Sequence, residues 1–368
     1  MHASVSRKPE ARPTTAAPPA FAGSFDLPTR QSGALRPLIL NPQTVVDCGE
    51  HALIARIRER VSTAPWIVVG PGDDAAAIEP VRGALEVLTT DAQVEGVHFD
   101  RRFVPPDAIG HRALAVNLSD VAAMGARPRA ALLSMALPPA LEIVAFDRIV
   151  DGLLALAARY GVMLIGGNIT RTSGPMVLDV TVTGTVHRRK ILTRAGARPG
   201  DEVYVTGTLG DAAAGLLRLQ DDPTAVNGTA RYLRPDPRIR AGLLLGRNCA
   251  ATSCMDLSDG LADGVRQIAQ ASSVGITLDA ATLPITAELK TWLRGRNRNP
   301  IDLALRGGDD FELIFTAKPN QAGRLRAVRR QLGDLPITRI GVVTRAPRLL
   351  VQDEHGTREL PEGYEHFR

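Results

Sequence analysis

The sequence predicts an α/β fold of two domains, and three observations carry that expectation. Short apolar runs alternate with helical patterns along most of the chain. The 368 residues suit about two domains of ordinary size. A charged connector, HRRKILTRAGARPGDE, separates two such alternating series, so one domain is expected over 45–190 and a second over 198–368.

The start, MHASVSRKPEARPTTAAPPAFAG, lacks the continuous apolar stretch of a secretory signal. Residues 1–40 read as a disordered tail, with a transit peptide as the lesser alternative. Behind it GEHALIARIRERV has Leu53, Ile54 and Ile57 on one side of a helix, and WIVV and EVLTT read as strands around the turn-rich GPGDD. AIGHRALAVNLSDVAAMG is a long helical pattern closed by Gly125, with Pro128 beyond it. A strand (AALLSMALP), a helix (LEIVAFDRIVDGLLALAARYG) and a strand (VMLIGG) follow, then MVLDVTVTGTV, which alternates as a half-buried strand does. The second series holds the strand VYVTG, helices from Asp211 and after DPR, and DGLADGVRQIAQASS, where Leu261, Val265 and Ile268 share a face. Strands GITLD, FELIFTA and TRIGVV complete it, with the helix AGRLRAVRRQL between the last two.

Composition excludes several function classes. The net charge is +5, but Arg7, Lys8, Arg12, Arg30 and Arg36 against Glu10 and Asp26 place +3 of it in the tail. With aromatics at 4% and no basic helix, the footprint of a nucleic-acid binder is missing, while anionic small molecules remain open. No apolar run reaches the ~18 residues of a membrane span; the most apolar stretch is broken by Pro138 and Pro139. Cys48, Cys249 and Cys254 form no CxxC pair or disulfide framework, which fits a reducing cytoplasm.

The four lysines, Lys8, Lys190, Lys290 and Lys318, never follow glycine, so a Walker A loop is absent; GxGxxG after a strand, HExxH, CxxC zinc spacing and GxSxG are absent too. The carboxylates are placed unusually, at the ends of apolar runs beside Gly, Ser and Thr. Asp73 and Asp74 stand in GPGDD; Thr89, Thr90 and Asp91 in LTTD; Asn117 and Asp120 in NLSD; Asp256, Ser258 and Asp259 in MDLSDG; Asp309, Asp310 and Glu312 in GGDDFEL. Carboxylate and hydroxyl oxygens suit hard Mg²⁺, and packed aspartates repel one another unless cations sit among them, which could in turn hold polyphosphate.

Taken singly, these motifs have plainer readings. GPGDD alone is a type II turn, and Thr90 and Asp91 alone end a strand. Ser258 can equally be the N-cap of the helix that follows. His98 and Arg194 alone read as structural or solvent-facing. Gly207 and Gly210 form an ordinary strand-to-helix turn, although such a turn also offers N–H groups to phosphate. Asp120 is harder to dismiss: it lies in an apolar helix on the same face as Asn117, and a buried unpaired carboxylate is costly.

In this order, GPGDDAA, TTDAQVEGVHF, ALAVNLSDVAAMGA, LIGGNITR, LTRAGARPGD, VTGTLGDAAAGL, DLSDGL and GGDDFEL resemble the thiamine-monophosphate kinase family, from about residue 45 to the C-terminus. That family shares a superfamily with aminoimidazole ribonucleotide synthetase, selenophosphate synthetase and a hydrogenase-maturation protein. The resemblance implies an N-terminal domain that dimerises through its sheet, an ATP site between the two domains, and direct transfer of the γ-phosphoryl group of ATP to thiamine monophosphate. It implies several Mg²⁺ ions held by Asp74, Thr89, Thr90, Asp91, Asp120, Asp256 and Asp259, with Asp91, Asp120 and Asp256 at the centre of catalysis. Gly167, Asn168, Arg194 and Ser258 would contact ATP, and His98 and Asp309 would face the thiamine phosphate.

Two positions depart from the family pattern. Gly167-Asn168 stands where Gly-Asp is usual, so a neutral amide replaces one metal-binding carboxylate. Pro361 stands where an aromatic residue commonly stacks on thiamine, leaving Tyr364 or Phe367 as substitutes. The alternatives are another ATP-dependent enzyme of the superfamily, or a nucleotide- or thiamine-phosphate-binding protein with impaired catalysis.

Overall fold

Between Pro105 and Met124 nearly every residue is apolar or small, and this stretch forms an 18-residue helix, Pro106–Ala123, buried around most of its circumference. A helix apolar on all sides belongs inside a protein. Proline at its start costs nothing, because the first N–H groups of a helix have no internal partner, and Gly125 closes it at φ 65°, as expected from sequence. The structure is a computed structural model that describes residues 43–363. The tail expected over 1–40 lies outside these residues, as do Tyr364 and Phe367.

In the chain's order this helix falls between two strands of one main sheet, and a second main sheet follows. The strands are β1 (Ile67–Val69), β2 (Ala77–Ile78), β3 (Leu85–Val94), β4 (Arg127–Leu137), β5 (Met163–Arg171), β6 (Val177–Val186), β7 (Glu202–Thr206), β8 (Ser253–Asp256), β9 (Gly275–Asp279), β10 (Leu313–Ala317), β11 (Ile337–Thr344), β12 (Leu349–Asp353) and β13 (Gly356–Glu359). β1 and β2 pair by themselves around GPGDD. A four-stranded sheet has the order β3-β6-β4-β5, and a seven-stranded sheet the order β13-β12-β9-β11-β7-β10-β8. The alternation in β6 is realised: Leu178, Val180 and Val182 are buried, while Asp179, Thr181 and Thr183 face the other way.

Three expectations are corrected. β3 does not stop at Thr90 but pairs with β6 from Leu85 to Val94, so Thr89, Thr90 and Asp91 are mid-strand. The strand expected over AALLSMALP starts earlier, at Arg127, so Pro128, beyond the helix as expected, lies within β4, where the ladder to β6 shifts register, as a residue without an N–H demands. FELIFTA begins its strand two residues late, because Phe311 takes φ 49°. β8, the β12–β13 hairpin and the helices Ala287–Arg294 and Pro300–Arg306 were not anticipated from sequence.

The buried helix packs against the helix Ile143–Tyr160 at near backbone contact. A Cβ on Gly110 would stand 1.8 Å from the carbonyl oxygen of Ile149, and one on Gly152 would stand 2.0 Å from that of Asp107. On another side the helix Ile239–Arg247 approaches just as closely, with Gly242 against the carbonyl of Ala122. We predict that Gly110→Ala lowers stability by about 1–3 kcal/mol while leaving the fold intact. The urea midpoint measures this, and an unchanged midpoint contradicts the close approach.

Candidate active site

β3 alternates between two faces, and so divides the predicted residues. Thr89 and Asp91 point to the face covered by the buried helix, where the Thr89 hydroxyl donates to Asp120 Oδ2 at 2.5 Å. One residue earlier on that helix, fully buried Ser119 donates to Asp256 Oδ2 at 2.7 Å. Asp256 ends β8, whose four residues are all buried. A strand, a helix and the edge of the second sheet therefore bring Asp91, Asp120 and Asp256 together.

Burial and mutual repulsion govern this cluster. Burial, then the charges of Asp120, Asp179 and Asp259, push Asp91 up to about 6. Burial, then Asp120, push Asp256 up to about 7, against the hydrogen bond from Ser119. Asp120 is also raised by burial, which outweighs the Thr89 hydrogen bond and the charge of Arg194. Arg194 thus lies within electrostatic reach of the cluster; it is exposed, and Nη1 donates to Gln267 Oε1 at 2.5 Å. Ser258 is exposed and donates to Asp259 Oδ2 at 3.3 Å. Among the described residues, no three carboxylate, imidazole or thiol groups converge tightly enough to hold an ion as they stand.

A second group forms near the start of the same helix. Arg112 is 1% exposed. Its guanidinium donates to Asp309 Oδ2 at 3.1 Å and to the carbonyls of Tyr232 and His98, and it lies 4.5 Å from the centre of the Tyr232 ring. His98 Nδ1 accepts the N–H of Val94 at 3.0 Å. Asp309 holds φ 66° and donates its N–H to the carbonyl of Ser258 at 2.7 Å, so the loops carrying Asp309 and Ser258 are tied together. The structure brings His98 and Asp309 to one place through Arg112, a residue that sequence reasoning passed over. Its signal was the one arginine of a mostly apolar helix.

The remaining predicted residues lie on the opposite face of the four-stranded sheet. Thr90 donates to Asp179 Oδ1 at 2.9 Å and lies 3.0 Å from the Thr181 hydroxyl. Asp73, Asp74, Gly167, Asn168, Asp179 and Thr181 line one groove there, of about 1080 Å³. Gly167 is required by close approach, since a Cβ would stand 1.9 Å from the carbonyl oxygen of Leu133. Thr90, Asp74 and Asn168 are therefore separated by the sheet from the side chains of Thr89, Asp120 and Asp256. Asp179, not singled out from sequence, joins this outer group; the alternation of β6 was its signal.

GGDDFEL is the motif the structure divides most sharply. Asp309 faces the site, but Asp310 accepts the N–H groups of Gly210 and Ala212 at 2.7 and 3.3 Å. The turn at Gly207 and Gly210 consequently has these donors satisfied from within and does not offer them to phosphate. Glu312 is fully buried, binding Arg231, Arg238 and the Thr206 hydroxyl. Both carboxylates serve the scaffold, contrary to the metal chemistry expected of the motif.

The AIR synthase related protein N-terminal domain model matches residues 72–186, and the C-terminal domain model matches 198–354. The chain is 39% identical over 329 residues to a thiamine-monophosphate kinase of Escherichia coli (strain K12), covering 87% of this chain and 98% of that protein. The crystal structure of a thiamine-monophosphate kinase from Stenotrophomonas maltophilia K279a is 42% identical, with a TM-score of 0.71 over 82% of this chain and 94% of that one. AaThiL complexed with AMPPCP and TMP is 34% identical, with a TM-score of 0.69 over 88% and 98%. With its two AIR synthase-type α/β domains, the chain belongs to the thiamine-monophosphate kinase family.

Proposed function

We propose that this chain passes the γ-phosphoryl group of ATP to the phosphate of thiamine monophosphate, with Asp91, Asp120 and Asp256 at the reacting centre. The observation that carries the reading is the meeting of these three carboxylates at the junction of strand, buried helix and second sheet, in a chain so similar to thiamine-monophosphate kinases. The AaThiL complex supports it, since AMPPCP is an ATP analogue that cannot give up its terminal phosphoryl group. Such transfer demands positioning and charge neutralisation rather than a covalent intermediate on the protein.

Mg²⁺ fits the chemistry of the donor set: hard oxygens only, with carboxylates held above their ordinary range by burial and then by one another. Several ions would be held: Asp91, Asp120, Asp256 and Asp259, with Thr89, would serve on the inner face, and Asp74, Thr90 and Asn168 on the outer face. When bound, Mg²⁺ would offset the negative charge of the phosphates during transfer. Arg194 supplies positive charge beside Asp120, and Ser258 and Gly167 complete the ATP contacts. His98 and Asp309 orient the phosphate of thiamine monophosphate, Asp309 being fixed by buried Arg112.

The proposed dimer interface is the outer face of the N-terminal sheet, where Leu88 is 68% and Leu132 38% exposed. We place the N-terminal domain at 45–190 and the C-terminal one at 198–368. Among the described residues no helix is long and apolar enough to cross a membrane, and three free cysteines fit our assignment to the cytoplasm. Asn168 favours a second reading, a binding protein with impaired turnover. Incubation with ATP, Mg²⁺ and thiamine monophosphate separates the two: thiamine diphosphate forms under the first and not under the second.

Asp120→Asn should lower turnover by at least about a hundredfold with the fold retained, and EDTA should abolish it; full activity in EDTA contradicts the reading. Asn168→Asp should lower the Mg²⁺ concentration needed for half-maximal rate, and an unchanged or higher requirement removes Asn168 from the metal set. For the metal-free chain, Asp91 and Asp256 have folded pKa values above the ordinary 3.8, so the native state binds the extra protons. Their contribution to stability is therefore lost as pH rises from about 4 to about 7. Melting temperatures in EDTA across that window should fall less steeply for Asp256→Asn, whose amide oxygen still accepts from Ser119; an equal slope would show that Asp256 does not carry the effect.

A further inference from the structure

We propose that the cleft between the end of the buried helix and the helix Ile239–Arg247 is a second anion site, for a small molecule carrying two or more phosphate groups. A cavity of about 440 Å³ opens there, within the range of small-molecule sites. Arg127, His187, Lys190, Arg240 and Arg247 line it, and among the described residues lining it there is no Asp or Glu. It shares no lining residue with the carboxylate site.

Many of the chain's arginines outside the cleft meet carboxylates. Arg56 and Arg60 pair with Asp147, Arg148 and Arg234 with Asp107, and Arg231 and Arg238 with Glu312. In the cleft, Arg240 Nη2 donates to the backbone carbonyl of Gln331 at 2.5 Å, and Arg247 donates to the side-chain carbonyl of the same residue. Neutral carbonyls orient two guanidinium groups without cancelling their charge. Among the described residues, the side chains of Arg127 and Lys190 make no hydrogen bond or ion pair. Like charges gathered in a concavity repel, and a polyanion relieves that repulsion while arginine offers paired donors to phosphate oxygens.

The start of β4, the segment after β6 and the helix Ile239–Arg247 bring together Arg127, Lys190, Arg240 and Arg247, four positive charges that a single phosphate does not balance and a chain of two or three phosphates does. Val186 and Leu243 give the cleft an apolar wall for an organic portion. No aromatic side chain lines it among the described residues, so it lacks the stacking platform of a single-stranded nucleic-acid groove.

The test is titration of the full chain with inorganic tripolyphosphate in EDTA, where the metal-free carboxylate cluster repels a polyanion. About one equivalent should bind, more weakly as salt is raised. The double variant Arg127→Gln, Lys190→Gln should weaken binding at least about tenfold, at unchanged melting temperature because neither side chain has a partner to lose. Asp120→Asn should still bind. The proposal is overturned if the parent chain binds nothing in EDTA, if the double variant binds as well as the parent, or if Asp120→Asn abolishes binding. It also fails if a single-stranded oligonucleotide binds through Arg127 and Lys190 while tripolyphosphate does not.

Discussion

The burial of one helix, Pro106–Ala123, sets the terms for the rest of the structure. Every polar side chain it carries inward must find a partner, because water is excluded on nearly all sides. Arg112 finds Asp309, Ser119 finds Asp256, and Asp120 finds Thr89. Asn117 bonds back to the carbonyl of Ala113 within the helix, leaving its own side-chain oxygen unpartnered. Eight residues separate Arg112 from Asp120, about 12 Å of helical rise. The helix therefore fixes the spacing between the Asp309 and His98 group and the carboxylate cluster. The glycines at 110, 152 and 242 let its neighbours come close enough to hold it there.

Buried carboxylates fall into two kinds in this chain, told apart by what surrounds them. Glu312 is met by two arginines and a hydroxyl, and Asp310 by two backbone N–H groups, although burial still pushes Asp310 up to about 7. Both are compensated by the protein itself. Asp91 and Asp256, raised first by their own burial, are raised further by neighbouring aspartates, Asp91 by Asp120, Asp179 and Asp259 and Asp256 by Asp120 and Asp91. Ser119 offers Asp256 a hydroxyl, but among the described residues no arginine forms an ion pair with Asp91 or Asp256 as two do with Glu312. That contrast, rather than the shared acidity of the motifs, sets apart the cluster we propose as the reacting centre.

Most of the fold was legible because periodicity is a property of the sequence alone: the alternation in β6 and the apolar buried helix appear directly in their residues. β8 was not legible, because its four residues, Ser253–Asp256, are too few and too mixed to show a period, and pairing with β10 makes them a strand. The carboxylate cluster was legible from the crowding of acids beside small residues. Its division was not. Asp309, Asp310 and Glu312 are near neighbours in sequence, yet left-handed backbone at Asp309 and Phe311 turns successive side chains toward different surroundings. Arg112 escaped notice for the opposite reason, its importance coming from partners 120 and 197 positions away.

The alternation of β3, common to any strand, gives the Thr89-Thr90-Asp91 tripeptide a place on both faces of its sheet. Asp91 is raised first by its own burial, and the charge of Asp179 on the outer face reaches it as well. The outer groove already holds Asp73, Asp74 and Asp179. A further carboxylate at position 168 would add to the repulsion there. Asparagine keeps an oxygen capable of ligation and drops the charge. The neutral amide therefore adds no charge to the outer face, from which Asp179 already acts on Asp91 of the inner cluster.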